Sequence, residues 1–327
     1  MYKSISHLNA FLLLLVVFSY ASECRPIFFS GLPFSYTDFN SSIEWKEVQV
    51  KFANLDHSYK ISVPANSYVC KNASLFVFVS TRTTSFAIRE GIRNSYAKNL
   101  AEGIAFRFVI GQADNIETIH QILEEQEKFG DLILYDVHDN YEMLYFKTYS
   151  ALLWQQTFCS NVKFVMKLDD DVIIDLQRLQ YWIDKKMEPL HREHERTESG
   201  SVNFRMHPRR NIKSPWYVST ENFSDSLFPP YTSGAMCLFS NEAVAAILEQ
   251  TPNASAFSVE DALFMGVLAK LANVYVSDNK EHFRIGGLRK TEMCECGVPL
   301  VTAIYAFHKA EDFAMNYELL RNVECTE

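Results

Sequence analysis

Three adjacent carboxylates, Asp169, Asp170 and Asp171, follow the apolar run Phe164–Leu168. Burying three such groups without a counter-charge is costly, because each opposes ionisation of the next. A divalent cation removes that cost, and hard oxygen ligands suit Mg²⁺ or Mn²⁺. On an extended backbone Asp169 and Asp171 point one way and Asp170 the other. Asp169 and Asp171 are then the natural pair for a cation that binds a diphosphate. Taken alone, the triplet reads equally well as a solvated turn with Asp171 capping a helix. A zinc site is not indicated, since Cys294-Glu-Cys296 has no second Cys or His pair at the usual spacing.

The elements that would position these carboxylates are legible upstream. Leu75–Val79 reads as a buried strand, followed by a polar turn and a helix around Phe86–Leu100. Phe106–Ile110 reads as a second strand ended by Gly111, Ile116–Phe129 as a helix with apolar residues three and four apart, and Leu132–Tyr135 as a third strand. Tyr141–Phe158 reads as a long helix, and Phe164–Leu168 as a fourth strand running straight into the triplet. This alternation predicts an α/β fold, a mainly parallel central sheet with helices on both faces. Ligands of such sheets bind beyond the carboxyl ends of the strands, where the triplet lies.

Of the 327 residues, 48% are hydrophobic and 22% charged, which fits a chain with a well-filled core. The 31 Lys and Arg against 40 Asp and Glu give a net charge of -9, and without a long basic run nucleic-acid binding is not expected. Residues 1–23 carry Lys3 and then an apolar run from Ala10, a signal or anchor segment for secretory membranes. The run is short against the roughly 17–25 residues of a membrane span, so its length favours cleavage and secretion. Residues 24–67 read as a stem with some local structure, and 68–327 as the catalytic domain. Acceptor patterns for glycosylation start at Asn40, Asn72, Asn222 and Asn253, and the seven cysteines predict disulfides with one left over.

Six motifs, in order over residues 74–310, resemble those of the β-1,3-galactosyltransferase / N-acetylglucosaminyltransferase family, glycosyltransferase family 31. Arg89-Glu-Gly-Ile-Arg93-Asn-Ser-Tyr96 looks like its R-x-x-I-R-x-T-W, and Phe108-Val-Ile-Gly111 like its F-x-x-G. The stretch Glu124–Asp131, with Asp136, Asp139, Tyr141, Leu144 and Lys147-Thr148, follows its acidic block and D-x-Y-x-N-L-x-x-K-T. Lys167-Leu-Asp169-Asp-Asp171 is similar to K-x-D-x-D, and Phe228-Pro-Pro-Tyr-Thr-Ser-Gly234 to Y-P-P-Y-x-S-G. Glu260-Asp261 resembles the start of E-D-V-x-x-G, although Gly266 comes one residue late. Tyr96 for Trp, Leu168 for Thr or Ala, Met143 for Asn and Ala262 for Val depart from the pattern without removing a carboxylate, as does Ala235-Met236 in place of a Gly-Tyr-rich segment.

The resemblance implies a GT-A fold, a UDP-sugar donor, Mn²⁺, inversion at the anomeric carbon and a glycan acceptor on glycoprotein or glycolipid. It implies Asp171 as metal ligand, Asp169 on the metal, its bound water or the ribose, and Asp170 at the donor or steadying the loop. Asp261 is the implied base, with Glu260 the alternative; otherwise the pair is an ordinary acidic helix start. His308 is the implied third ligand, with His282 the runner-up. Arg89 and Arg93, four residues apart, are expected on the donor side, the alternative being an ion pair within the fold. Lys167 balances the acids, Trp216 either stacks on a sugar or is buried, and Pro229-Pro230 with Gly234 make a rigid turn. The basic stretch Arg205–Lys213 reads as a solvated loop, and Met236–Phe239 as a core strand. The resemblance also implies a single-pass, luminal protein of the Golgi membrane, favouring an anchor over cleavage.

Overall fold

Every residue of Leu75–Val79 is buried, as a strand covered on both faces requires. In the computed structural model, which describes residues 34–39, 42–66, 69–305 and 307–326, this strand lies in the middle of the main sheet. The elements before it are β1 (Trp45–Phe52) and β2 (Leu55–Ser62). There follow β3 (Leu75–Ser80), α1 (Phe86–Asn94), β4 (Ile104–Gln112), α2 (Ile116–Phe129), β5 (Leu132–His138), α3 (Leu144–Phe158), β6 (Phe164–Asp169) and β7 (Val172–Ile174). The second half adds α4 (Leu176–Trp182), α5 (Glu188–His194), β8 (Thr197–Asn203), β9 (Tyr231–Ser240), α6 (Asn241–Glu249), β10 (Tyr275–Asp278) and β11 (Phe283–Ile285).

The nine-stranded sheet has the order β1-β2-β5-β4-β3-β6-β9-β8-β10. Its centre, β5-β4-β3-β6, is parallel, as the alternation of strand and helix predicts. The flanks are mixed: β9 runs antiparallel to both β6 and β8, β2 antiparallel to β5, and edge strand β10 parallel to β8. Leu75, Val77 and Val79 share one core with Ile92 of α1 and Ile119 and Ile122 of α2. On the opposite face Phe76 stacks on Trp154 of α3 at 5.7 Å between ring centres. Period-two alternation thus sends one strand's side chains into two helical layers.

The stretch read as a stem is partly sheet. β1 and β2 form a hairpin whose Val50, Phe52, Tyr59 and Ile61 are buried, and Ile61 pairs with Tyr135 of β5. All described residues fall in one unit, Leu32–Glu327. Its boundary therefore precedes the expected start at residue 68. The N-terminal segment, Cys24 and Asn40 lie outside the described residues. Among the described residues no helix is long and apolar enough to cross a membrane. Two disulfides form, Cys70–Cys159 and Cys294–Cys325. Among the described residues Cys237 (buried) and Cys296 (exposed) are free.

One buried acid on β8 belongs to the fold alone. Glu198 is fully buried; its Oε1 accepts a long bond from the Thr232 N–H at 3.4 Å, and its Oε2 has no partner among the described residues. Burial pushes the carboxyl well above the usual carboxylate range. A raised folded pKa contributes stability that is complete below the unfolded value of about 4.3 and is lost as pH rises toward the folded value. Glu198→Gln copies the neutral form. It is expected to melt several degrees above the parent at pH 8, the margin closing toward pH 4 in a series of thermal melts.

Candidate active site

β6 delivers Asp169 to its carboxyl end, the chain turns at Asp170-Asp171, and β7 begins at Val172. The turn breaks the expected extended alternation, and all three carboxylates line one cavity of about 350 Å³. Each has a different neighbour. Asp169 Oδ1 accepts from Lys167 Nζ at 2.9 Å, and Asp170 Oδ2 from Thr81 Oγ1 at 2.9 Å. Asp170 therefore does steady the loop. Asp171 caps no helix; that role falls to Asp175, whose side chain accepts from the Arg178 N–H at the start of α4.

His308 reaches the turn through backbone pairing. Strand Ala303–Tyr305 lies antiparallel on β7 with Tyr305 opposite Val172, and the Phe307 N–H donates to the Asp171 carbonyl at 3.0 Å. His308 Nδ1 then sits 3.7 Å from Asp171 Oδ2, with its side chain 72% exposed. The runner-up, His282, is elsewhere: it is buried, bonded through Nδ1 to the Leu300 carbonyl at 2.7 Å, and packed on Trp182. It lines neither of the two cavities at the turn.

Asp171 bears on whether a cation fits. Its Oδ1 is buried without a partner, and burial, then Asp169 and Asp170, push the carboxyl up to about 7. An orphaned oxygen on a crowded carboxyl is what an arriving positive charge would satisfy. Among the described residues no three His, Cys, Asp or Glu side chains gather as a ready metal cage. A hard cation that shares its shell with water and phosphate oxygens needs only one or two protein carboxylates. Asp171, with His308 beside it, fits such an ion.

Lys167 links this turn to the second acidic pair. Fully buried, its ammonium donates to Asp169 and to the Gly234 carbonyl, and lies 3.6 Å from Glu260 Oε1. Burial works to lower its pKa, but Asp169 and Glu260 outweigh that and hold it charged. A second cavity of about 600 Å³ opens on the far side, lined by Asp261, Tyr141, Trp216, Tyr231 and Arg209. Asp169 and Glu260 line both cavities, whereas Asp261 faces only the second. Burial raises both Glu260 and Asp261, with Lys167 opposing in each case. Asp261 Oδ1 accepts from the Ala262 N–H at 2.7 Å, while Oδ2 has only a 3.4 Å contact with the Gly234 N–H.

Gly234 lies within β9 and not in the rigid turn expected of it. A Cβ there would stand 2.9 Å from Glu260 Oε1 and 3.1 Å from Asp261 Cβ, so any side chain at 234 would press on both acids. After Asp261 the chain enters a π-helix, Ala262–Leu268, which puts Gly266 where a Cβ would crowd Tyr231 at 3.2 Å. Trp216 proves 53% exposed, at the second cavity. Met236–Phe239 is core strand, as read.

Arg89 and Arg93 are corrected. Arg89 is fully buried, bonded to Glu125 at 2.6 Å and to the Arg82 carbonyl at 2.7 Å; Arg93 bonds Glu125 at 2.7 Å and Asp131 at 2.8 Å. They are ion pairs within the fold, and neither lines the cavity at the acidic turn. Lys147 likewise pairs with Asp139 at 2.8 Å and donates to the Thr81 carbonyl. The sequence reading missed Ser80, Thr81 and Arg82, which line the cavity from the end of β3. Their position after the first central strand was the available signal. Arg89→Met is expected to cost roughly 3 kcal/mol by leaving Glu125 under-compensated. Much of that loss should return in Arg89→Met/Glu125→Leu, as read by denaturant unfolding.

An acidic turn at a strand end, backed by a buried lysine and joined to a second cleft holding a separate acid, sits at the carboxyl end of the parallel strands of an α/β sheet, and the family whose model this chain matches makes it a glycosyltransferase. More narrowly, the chain belongs to the Galactosyltransferase family, whose model matches residues 87–280. Beta-1,3-galactosyltransferase 1 from Homo sapiens is 28% identical over 269 residues, covering 80% of each chain. Beta-1,3-galactosyltransferase 5 from Homo sapiens is 26% identical over 220 residues, 66% of this chain and 69% of that one. Among solved structures, S. aureus TarS aligns with 64% of this chain and 37% of its own, at 18% identity and a TM-score of 0.34.

Proposed function

We propose that this glycosyltransferase moves galactose from UDP-galactose to the 3-hydroxyl of an acceptor sugar on a glycoprotein or glycolipid, with inversion and dependence on Mn²⁺. The observation that carries the reading is the meeting of two cavities at Asp169 and Glu260, with Asp261 facing only the second. The names of the relatives support galactose and the β-1,3 linkage.

Asp171 and His308 would hold the Mn²⁺ ion, and Asp169 the ribose or an ion-bound water. When bound, the ion supplies positive charge that stabilises the departing UDP. Arg82, exposed at the rim of the same cavity, adds a cation for the diphosphate. Lys167 holds Asp169 in place through the 2.9 Å bond to Oδ1. On the other side, Asp261 Oδ2 takes the proton of the acceptor hydroxyl as the acceptor oxygen bonds to the anomeric carbon and the bond to UDP breaks. Oδ1, held by the Ala262 N–H, fixes the orientation of the carboxylate. Work in the Golgi lumen, behind a membrane anchor, belongs to the same reading, and the two disulfides agree with an oxidising compartment.

Incubating the protein and Mn²⁺ with several UDP-sugars and a glycan panel, with linkage analysis of the product, tests this. A β-1,3-linked galactose product is expected. Selective use of UDP-N-acetylglucosamine or UDP-N-acetylgalactosamine would overturn the donor, and no turnover of any donor would point to a silent sugar-binding protein.

A further inference from the structure

The loop 205–216 is basic in a chain of net charge -9. It forms one wall of the cleft that holds Asp261 and also lines an adjoining cavity of about 750 Å³; Met206, His207, Arg209 and Trp216 line both. The two spaces therefore make one trough, acidic at Asp261 and basic at Arg205 and Arg209. The loop is built and not merely solvated. Arg210 donates to four backbone carbonyls, those of Val218, Ser219, Phe223 and Asp225, at 2.7 to 3.0 Å, and His207 Nδ1 lies 2.8 Å from the Ser226 carbonyl. Arg205 and Arg209 are exposed and have no ion pair or side-chain hydrogen bond among the described residues. Trp216 (53% exposed) and Tyr141 (49%), hydrogen-bonded to each other, line the cleft with Asp261, and Trp216 also lines the adjoining cavity beside Arg205 and Arg209.

Resting on the transferase reading above, we infer that the acceptor is an anionic glycan: the reacting sugar lies at Asp261, and a carboxylate or sulfate on a sugar farther from the reacting end is held by Arg205 and Arg209. The polarity of the trough sets this register. An anion on the reacting sugar would meet Asp169, Glu260 and Asp261, whereas one farther out meets two unpaired guanidiniums, suited to forked binding of carboxylate or sulfate. Trp216, shared by the two spaces, suits the apolar face of an intervening sugar.

Direct binding tests it independently of turnover. Trisaccharides in matched pairs, glucuronate against glucose at the second or third sugar, are titrated by NMR into the UDP-saturated protein, on the parent and on Arg205→Gln/Arg209→Gln. In the parent the uronate member of at least one pair is expected to bind about tenfold tighter, less so at high salt. The double variant should lose that preference while binding the neutral member and UDP as the parent does. Equal affinities within every pair, or a preference that survives in the double variant, would overturn the inference. So would a preference that arises only from acidic residues on a peptide carrying a neutral glycan. Failure of the transferase reading would appear separately, as absence of UDP-sugar turnover.

Discussion

Asp261→Asn is expected to bind UDP-galactose as the parent does and to transfer sugar about 10²–10⁴-fold more slowly, the range for loss of a general base. The substitution preserves shape, and an Asn oxygen can still accept the Ala262 N–H that Asp261 Oδ1 accepts at 2.7 Å. What is lost is the basicity of Oδ2, whose one contact is the long bond from Gly234. Asp261 faces only the second cleft, so the donor side should be untouched. The measurements are UDP-sugar affinity by calorimetry and product formation at saturating donor. Normal turnover would exclude Asp261 as the base. Glu260→Gln is the informative contrast, because Glu260 lies against the buried Lys167; its loss should register in thermal stability as well as rate.

Asp171→Ala should lower Mn²⁺-dependent release of UDP by two to three orders of magnitude, about 3–4 kcal/mol of lost charge stabilisation. A second readout separates this from damage to the fold. Asp171 is crowded by Asp169 and Asp170, and its Oδ1 is buried without a partner, so removing it relieves repulsion. The ligand-free variant is expected to melt at or above the parent's temperature, yet to lose the rise that Mn²⁺ with UDP gives the parent. UDP release at the parent's rate would refute the metal role.

The parallel centre of the sheet was legible because its strands are short, apolar and separated by helices of regular period. α2 spans Ile116–Phe129, the bounds read from its spacing, between the Asn115 cap and left-handed Gly130. The hairpin of β1 and β2 was not read, although Val48, Val50 and Phe52 alternate with polar residues; the prolines and asparagines around it dominated the impression. The acids of the candidate site were legible from the ordered motifs around them, since Asp169–Asp171 taken alone reads equally well as a solvated turn. Arg89 and Arg93 were misassigned since a cation's partner cannot be read from its own helix; Glu125 and Asp131 come from the next helix and the turn after it. The basic wall of the second cleft was hidden for the same reason, its neighbour Asp261 lying far along the chain.

The π-helix after Asp261 changes how the distance to Gly266 should be measured. A π turn contains one residue more than an α turn and so accommodates a single insertion without displacing what flanks it. Counted along the chain, Gly266 is out of step; measured in space, it meets Tyr231 across a gap where a Cβ would stand only 3.2 Å away. A side chain at position 266 would press on Tyr231 of β9, so the segment that follows Asp261 is held to that strand at close range.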